Sequence, residues 1–223
     1  VPVAVVPLDL ALIEPRTAPP VRAIATWPLE LPPAPGGSIR LDTGQNLAGF
    51  VRLRDRGKAG DRVVVRHAEV RNPDGSLHTL ALRGARATDE YVLDGSGDEV
   101  LEPPFSFHGF RHVDIETTAE VLGAEVVAIS SDLPSRSSFA CSDARLNRLH
   151  ENVVWSARGN FVSLPTDCPQ RDERLGWTGD AQAFAATGAT LLDSCTFWQS
   201  WLRDLELDQD DVLGVPSVVP DVV

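Results

Sequence analysis

The feature that most limits what this chain can fold into is a change of hydrophobic period part-way along it. From Ser38 to about Ser131 apolar and polar residues alternate: Ile39 and Leu41 with Arg40 and Asp42, Val51 and Leu53 with Arg52 and Arg54. A period of two puts successive side chains on opposite faces of a strand. Val63, Val64 and Val65 head a further β-branched run, and turns fall at Gly57 to Gly60, Pro73-Asp74-Gly75 and Asp94-Gly95-Ser96-Gly97. Short strands at this spacing predict an antiparallel β-sandwich over 38–131. Phe105, Phe107 and Phe110 are expected to supply aromatic core mass.

Beyond a polar linker at Ser135 to Ser138 the period becomes helical. Leu146, Leu149, Val153 and Ala157 recur three and four residues apart behind Ser142, a suitable N-cap, and the run stops near Gly159. A second helix is predicted from Thr178 or Gly179, with Ala181, Phe184, Ala185 and Gly188 on one side. A third, capped by Asp193 or Ser194, carries Phe197, Trp198, Trp201, Leu202 and Leu205, a stripe that reads as helix–helix core. The fold class is therefore multidomain β + α. Residues 1–37 read as a connector, because Pro2, Pro7, Pro15, Pro19, Pro20, Pro28, Pro32, Pro33 and Pro35 forbid a helix. Val3 to Val6 and Val21 to Trp27 still suit edge strands.

Between the first two helices lies a stretch with neither period: Asp167-Cys168-Pro169-Gln170-Arg171-Asp172-Glu173-Arg174-Leu175-Gly176-Trp177-Thr178-Gly179-Asp180. Apolar residues are nearly absent until Leu175, so it is a shaped loop rather than a core element. A solvated turn would pair its own charges but would not hold Trp177 among them. Carboxylates that give protons or accept hydroxyls, an arginine and an aromatic face are what a sugar-cleaving site needs. Cys168 sits beside Asp167, which raises a thiol pKa and argues against a nucleophile.

This loop closely resembles the catalytic loop of bacterial α-L-rhamnosidases of glycoside hydrolase family 78, over an ungapped stretch. Thr43-Gly44-Gln45-Asn46, His67-Ala68-Glu69 and Phe107-His108-Gly109-Phe110-Arg111 resemble that family's β-sandwich domain. The residues themselves suggest that Gln45, His67 and His108 satisfy backbone groups at strand ends or dock the neighbouring domain. The resemblance implies that 132–223 is the start of an (α/α)6 catalytic barrel, truncated, since the chain stops in the apolar Val215-Pro216-Ser217-Val218-Val219-Pro220 region. It also implies inverting hydrolysis of terminal α-L-rhamnose from a rhamnose-containing glycoside. Glu173 would be the general acid, and Asp167, Arg171, Trp177 and Asp180 would hold the sugar. Asp172 would orient Arg171 or Arg174. The general base would be a glutamate outside this chain, leaving the fragment inactive alone.

Two other readings stay open: a carbohydrate-binding sandwich with a non-catalytic helical domain, and an (α/α)6 barrel with another glycosidase chemistry. A net charge of −12 argues against nucleic acid as partner. No apolar run approaches the ~20 residues of a membrane span. No signal peptide is visible, which leaves the compartment unknown with only a slight preference for the cytoplasm. Cys141, Cys168 and Cys195 form no disulfide or zinc pattern, and the loop's acids lack calcium-loop spacing, so neither metal nor cofactor is expected.

Overall fold

The computed structural model describes residues 18–32 and 38–222. Its first body is one seven-stranded antiparallel sheet built from β1 (Val21–Leu29), β2 (Ser38–Arg56), β3 (Arg62–Ala68), β4 (Thr88–Val92), β5 (Asp98–Leu101), β6 (His108–Thr117) and β7 (Glu120–Ser131). The order is β1-β7-β2-β6-β3-β4, with β5 beside β2. β2 runs for 19 residues. Its first half pairs with β6, and its second half pairs with β7 on one edge and β5 on the other. Register breaks between Asp42 and Leu47, where the strand bends. The sheet therefore curls around a core of its own, in which Leu41, Val51, Leu53, Val63, Val65, Phe110, Ile115 and Val126 are buried. The sandwich expected from the alternation takes this curled form.

Phe110 is fully buried, but Phe105 is 100% exposed and Phe107 only partly buried. Both lie in the irregular segment after Pro103-Pro104, before β6 starts at His108, so strand alternation does not apply to them. From the proline-rich stretch, β1 joins the sheet as an edge strand against β7. Val3 to Val6 lies outside the described residues.

The second body holds α1 (Ala144–Asn160), the short hairpin β8 (Phe161–Val162) and β9 (Leu164–Pro165), α2 (Thr178–Leu191) and α3 (Cys195–Asp208). The α1 N-cap is Asp143 rather than Ser142: its carboxylate accepts the Arg145 N–H at 2.9 Å. α1 lies on the sheet, with Trp155 edge-on to Trp27 at 6.2 Å and Gly159 against Ala48. Phe161 stacks on Phe197 at 4.6 Å and Trp198 packs edge-on to both, so the aromatic residues of α3 are helix core, whereas Leu202 from the expected stripe is exposed. Among the described residues no helix is long and apolar enough to cross a membrane.

Candidate active site

The hairpin β8–β9 delivers the chain to Asp167, and this residue closes the loop on itself. Its N–H donates to the Leu175 carbonyl at 3.1 Å, while its Oδ1 accepts the Leu175 N–H at 2.9 Å. A residue with both a backbone and a side-chain bond to the far side of the loop fixes the loop's width. The far side then rests on the end of the chain. Val219 N–H donates to Gly176 O at 2.9 Å, and Thr178 N–H to Ser217 O at 3.0 Å. A Cβ at Gly176 would run into the Val219 carbonyl, so only glycine fits there. Val218 and Val219 are buried. Trp177 caps α2, and Asp180 stands in that helix's first turn, where the helix dipole favours a carboxylate.

Within this frame the charges form one network. Arg171 bridges two carboxylates: Nη2 donates to Asp167 Oδ2 at 2.8 Å, and Nε to Glu173 Oε2 at 3.0 Å. The Trp177 indole N–H donates to Glu173 Oε1 at 2.9 Å. A third donor comes from the segment between β3 and β4, Arg83 Nη1 at 2.7 Å from Glu173 Oε2. Each partner named is a donor, so the Glu173 carboxyl accepts on both oxygens. Asp167, Arg171, Glu173 and Trp177 are thus brought into one cluster. Asp180 is exposed and bonds none of them, but it lines a cavity of about 220 Å³ together with Asp167. Cys168 is 4% exposed, and burial, with Asp167 second, pushes its thiol up to about 11. It is a neutral packing group.

Asp172 departs from the expected role. It turns away from both arginines, and Oδ2 accepts the Gly84 N–H at 3.0 Å. Arg174 reaches the Phe107 carbonyl at 2.9 Å and lies 4.4 Å over the Phe107 ring, so it leaves Glu173 untouched. A Cβ on Gly109 would come within 2.6 Å of the Gln170 nitrogen, so the sheet and the loop meet backbone to backbone. Beside this contact a polar cleft of about 450 Å³ gathers Gln45, Asn46, Glu69 and Arg111 from the sheet, Asn152 and Trp155 from α1, and Asp167 and Arg171.

Among the described residues two clusters have the composition of metal sites. Asp167, Cys168 and Glu173 bring one donor atom each within 4.8 Å of one another, but the Arg171 guanidinium already bonds both carboxylates. His67, Asp89 and His108 lie equally close inside the sheet. There the two imidazoles stack at 4.2 Å and 21°, so an ion in the plane of one ring lies outside the plane of the other. His67 donates through Nδ1 to the Ala87 carbonyl at 3.2 Å, and burial, then His108, lowers its pKa to about 3. His67 thus serves a backbone carbonyl, as its setting in the sequence suggested.

Comparison with known proteins gives this geometry a family. Residues 134–223 match the bacterial α-L-rhamnosidase six-hairpin glycosidase domain, and residues 34–131 the bacterial α-L-rhamnosidase concanavalin-like domain. The chain belongs to the bacterial α-L-rhamnosidase family. An α-L-rhamnosidase of Streptomyces avermitilis is 46% identical over 196 residues, which is 85% of this chain and 19% of that protein. The crystal structure of a Streptomyces avermitilis α-L-rhamnosidase complexed with L-rhamnose superposes with a TM-score of 0.87 at 43% identity, over 93% of this chain and 21% of that one. An Aspergillus terreus α-L-rhamnosidase gives 0.88 at 37% identity, over 98% and 26%. The chain thus spans about a fifth of the length of the curated rhamnosidases it matches.

Within a rhamnosidase-family framework, the contributions of the sheet to the loop are what sequence reasoning missed. Arg83, Gly84 and Phe107 lie 90, 88 and 67 positions from their loop partners. The available signal was the Leu82-Arg83-Gly84-Ala85-Arg86 segment, basic and glycine-containing, with no acid beside it to pair until Asp89.

Proposed function

We propose that this chain forms part of a glycosidase that releases terminal α-L-rhamnose from rhamnose-containing glycosides with inversion. Glu173 is the general acid, and Asp167, Arg171, Trp177 and Asp180 hold the sugar. The observation that carries the reading is the Arg171-bridged pair of Asp167 and Glu173 just before α2; Asp167 lines the cavity that it shares with Asp180, and Glu173 lies outside that lining. In the reaction Glu173 carries its proton on Oε1, the oxygen that neither Arg83 nor Arg171 bonds, and passes it to the glycosidic oxygen as the C–O bond breaks. A water adds its oxygen to the anomeric carbon and gives a proton to a general base.

Asp167 is a poor candidate for that base. Inversion needs carboxyl groups roughly 6.5–9.5 Å apart to admit the water. One oxygen of Asp167 lies within 4.8 Å of one of Glu173, with a guanidinium between them. The family resemblance implies that the base is a carboxylate outside residues 1–223, and residues 1–223 alone should then not turn over an aryl α-L-rhamnoside. The same reading divides the chain into a connector (1–37) that lends β1 to the sheet, a β domain (38–131) and the start of a helical catalytic domain (132–223).

The test is Glu173→Gln in the full-length protein. A loss in rate on the order of 10² or more is expected for removal of a general acid. Activity that survives the change removes Glu173 from its role.

A further inference from the structure

The sheet body reaches into the loop at one charged point. We propose that Arg83 is a positioning residue for the Glu173 acid, contributed by the β domain to the catalytic centre. The inference rests on Glu173 being that acid.

The local backbone is shaped for this contact. Leu80–Leu82 forms a 3-10 turn whose Leu82 is buried and anchors the segment. Arg83 follows with φ of 53°, a left-handed conformation in which residues other than glycine are strained. Strain of this kind persists where surrounding structure over-determines it, and it gathers at functional sites. The next residue, Gly84, donates its N–H to Asp172, and a Cβ there would come within 2.5 Å of that carboxylate. Consecutive residues of the sheet body thus hold consecutive acids of the loop, Gly84 on Asp172 and Arg83 on Glu173.

Stability alone is a weak reason for the ion pair. The Arg83 side chain is 58% exposed, and pairs of that exposure add little to folding. Its geometric effect is larger. Glu173 is 17% exposed and is held from Trp177 on Oε1 and from Arg171 on Oε2. Both of those donors belong to the same loop and would move with it. Arg83 is, among the donors described, the one that reaches Glu173 from outside the loop, so it fixes where the carboxyl stands relative to the β3–β4 connection. A displacement of about an ångström at an acid can cost as much as ~10²-fold in rate.

The test uses the full-length protein and two rhamnosides that differ only in leaving group. A sugar aglycone departs as an alkoxide unless protonated, whereas 2,4-dinitrophenolate departs without a proton. The ratio of kcat/KM between them reports acid assistance, and it is independent of how much of a variant folds. Glu173→Gln should depress the sugar aglycone selectively. Arg83→Ala should shift the ratio the same way by roughly tenfold, a fraction of the loss allowed for misplacement, and Arg83→Lys should restore part of it. In a Glu173→Gln background, Arg83→Ala should add little, because its effect runs through the missing acid.

An undiminished Arg83→Ala loss in that background would mean direct contact with the aglycone and would overturn the proposal. A ratio moved by Glu173→Gln but not by Arg83→Ala also overturns it, leaving the acid in place. A ratio unmoved by Glu173→Gln removes the acid assignment itself.

Discussion

Asp167 in the loop and Asp55 in the sheet are both carboxylates withdrawn from water, and the fold treats them in opposite ways. Asp167 is 9% exposed, and its oxygens accept the Leu175 N–H and the Arg171 guanidinium. Asp55, on β2, is fully buried, and neither of its oxygens has a hydrogen-bond partner. Burial, with nearby Glu99 second, pushes Asp55 up to about 6. A buried carboxylate given donors has its lone pairs satisfied, while one given none keeps its proton to a higher pH. The loop has spent its donors on Asp167, whose proposed role is to hold the sugar. The inside of the sheet has spent none on Asp55.

The largest effect that would sharpen this contrast is expected at Asp167→Ala. It removes the side-chain bonds to Arg171 and to the Leu175 N–H, leaving the residue-167 N–H on the Leu175 carbonyl and Arg171 on Glu173 alone. Hydrogen bonds to charged groups contribute roughly 1.5–3 kcal/mol each, so a loss of about 3 kcal/mol is expected in denaturant melts of the full-length protein. A loss below ~1 kcal/mol would mean that the loop is held from elsewhere.

Asp55→Asn tests the other side. The folded protein keeps the Asp55 proton up to about pH 6, while an unfolded chain releases it near 3.8. Between those values the unfolded state binds fewer protons, so stability falls as pH rises. The slope is up to ~1.4 kcal/mol per pH unit, and the total is about 2–3 kcal/mol. The full effect is present above pH 6 and absent below the unfolded value. Asparagine cannot ionise, so the variant should lose this slope and gain about 2 kcal/mol at pH 8, the remainder being the cost of a buried amide. Parallel stability–pH curves for the two proteins between pH 4 and 7 would refute the assignment.

The same contrast explains what was legible in the sequence. The loop announced itself because Asp167, Arg171, Glu173 and Trp177 are close together in the chain, and their partners are largely each other. The period change near Ser135 likewise gave the two bodies, since alternation and helical spacing are local properties. Arg83, Gly84 and Phe107 left no comparable trace, because only the register of the curled sheet brings them to the loop. Asp55 was equally silent. In sequence it reads as one more polar residue on an alternating strand, and its burial arises because it falls on the same face of β2 as Val51 and Leu53, which points into the core. Phe105 failed for the converse reason: an apolar residue beside prolines is not held by strand periodicity, and it ended in solvent.

A third carboxylate separates pairing from burial. Asp42 on β2 meets Arg111 in a two-point contact, Nε to Oδ1 at 2.8 Å and Nη2 to Oδ2 at 3.0 Å, as good a geometry as any in the loop. The Arg111 side-chain bond is the main cause that holds the Asp42 carboxyl below its ordinary range, yet its side chain is 46% exposed. Water screens such a pair in both states, so Asp42→Asn should cost less than about 1 kcal/mol. The cost should shrink further in ~1 M salt, where the screening length falls to about 3 Å. Here the pair has its donors but not its seclusion. A loss at Asp42 as large as the one at Asp167 would show that geometry alone gives a carboxylate pair its strength, and that the enclosure of the loop adds nothing. A small, salt-sensitive loss places the difference in burial, which the loop has and the open face of β2 lacks.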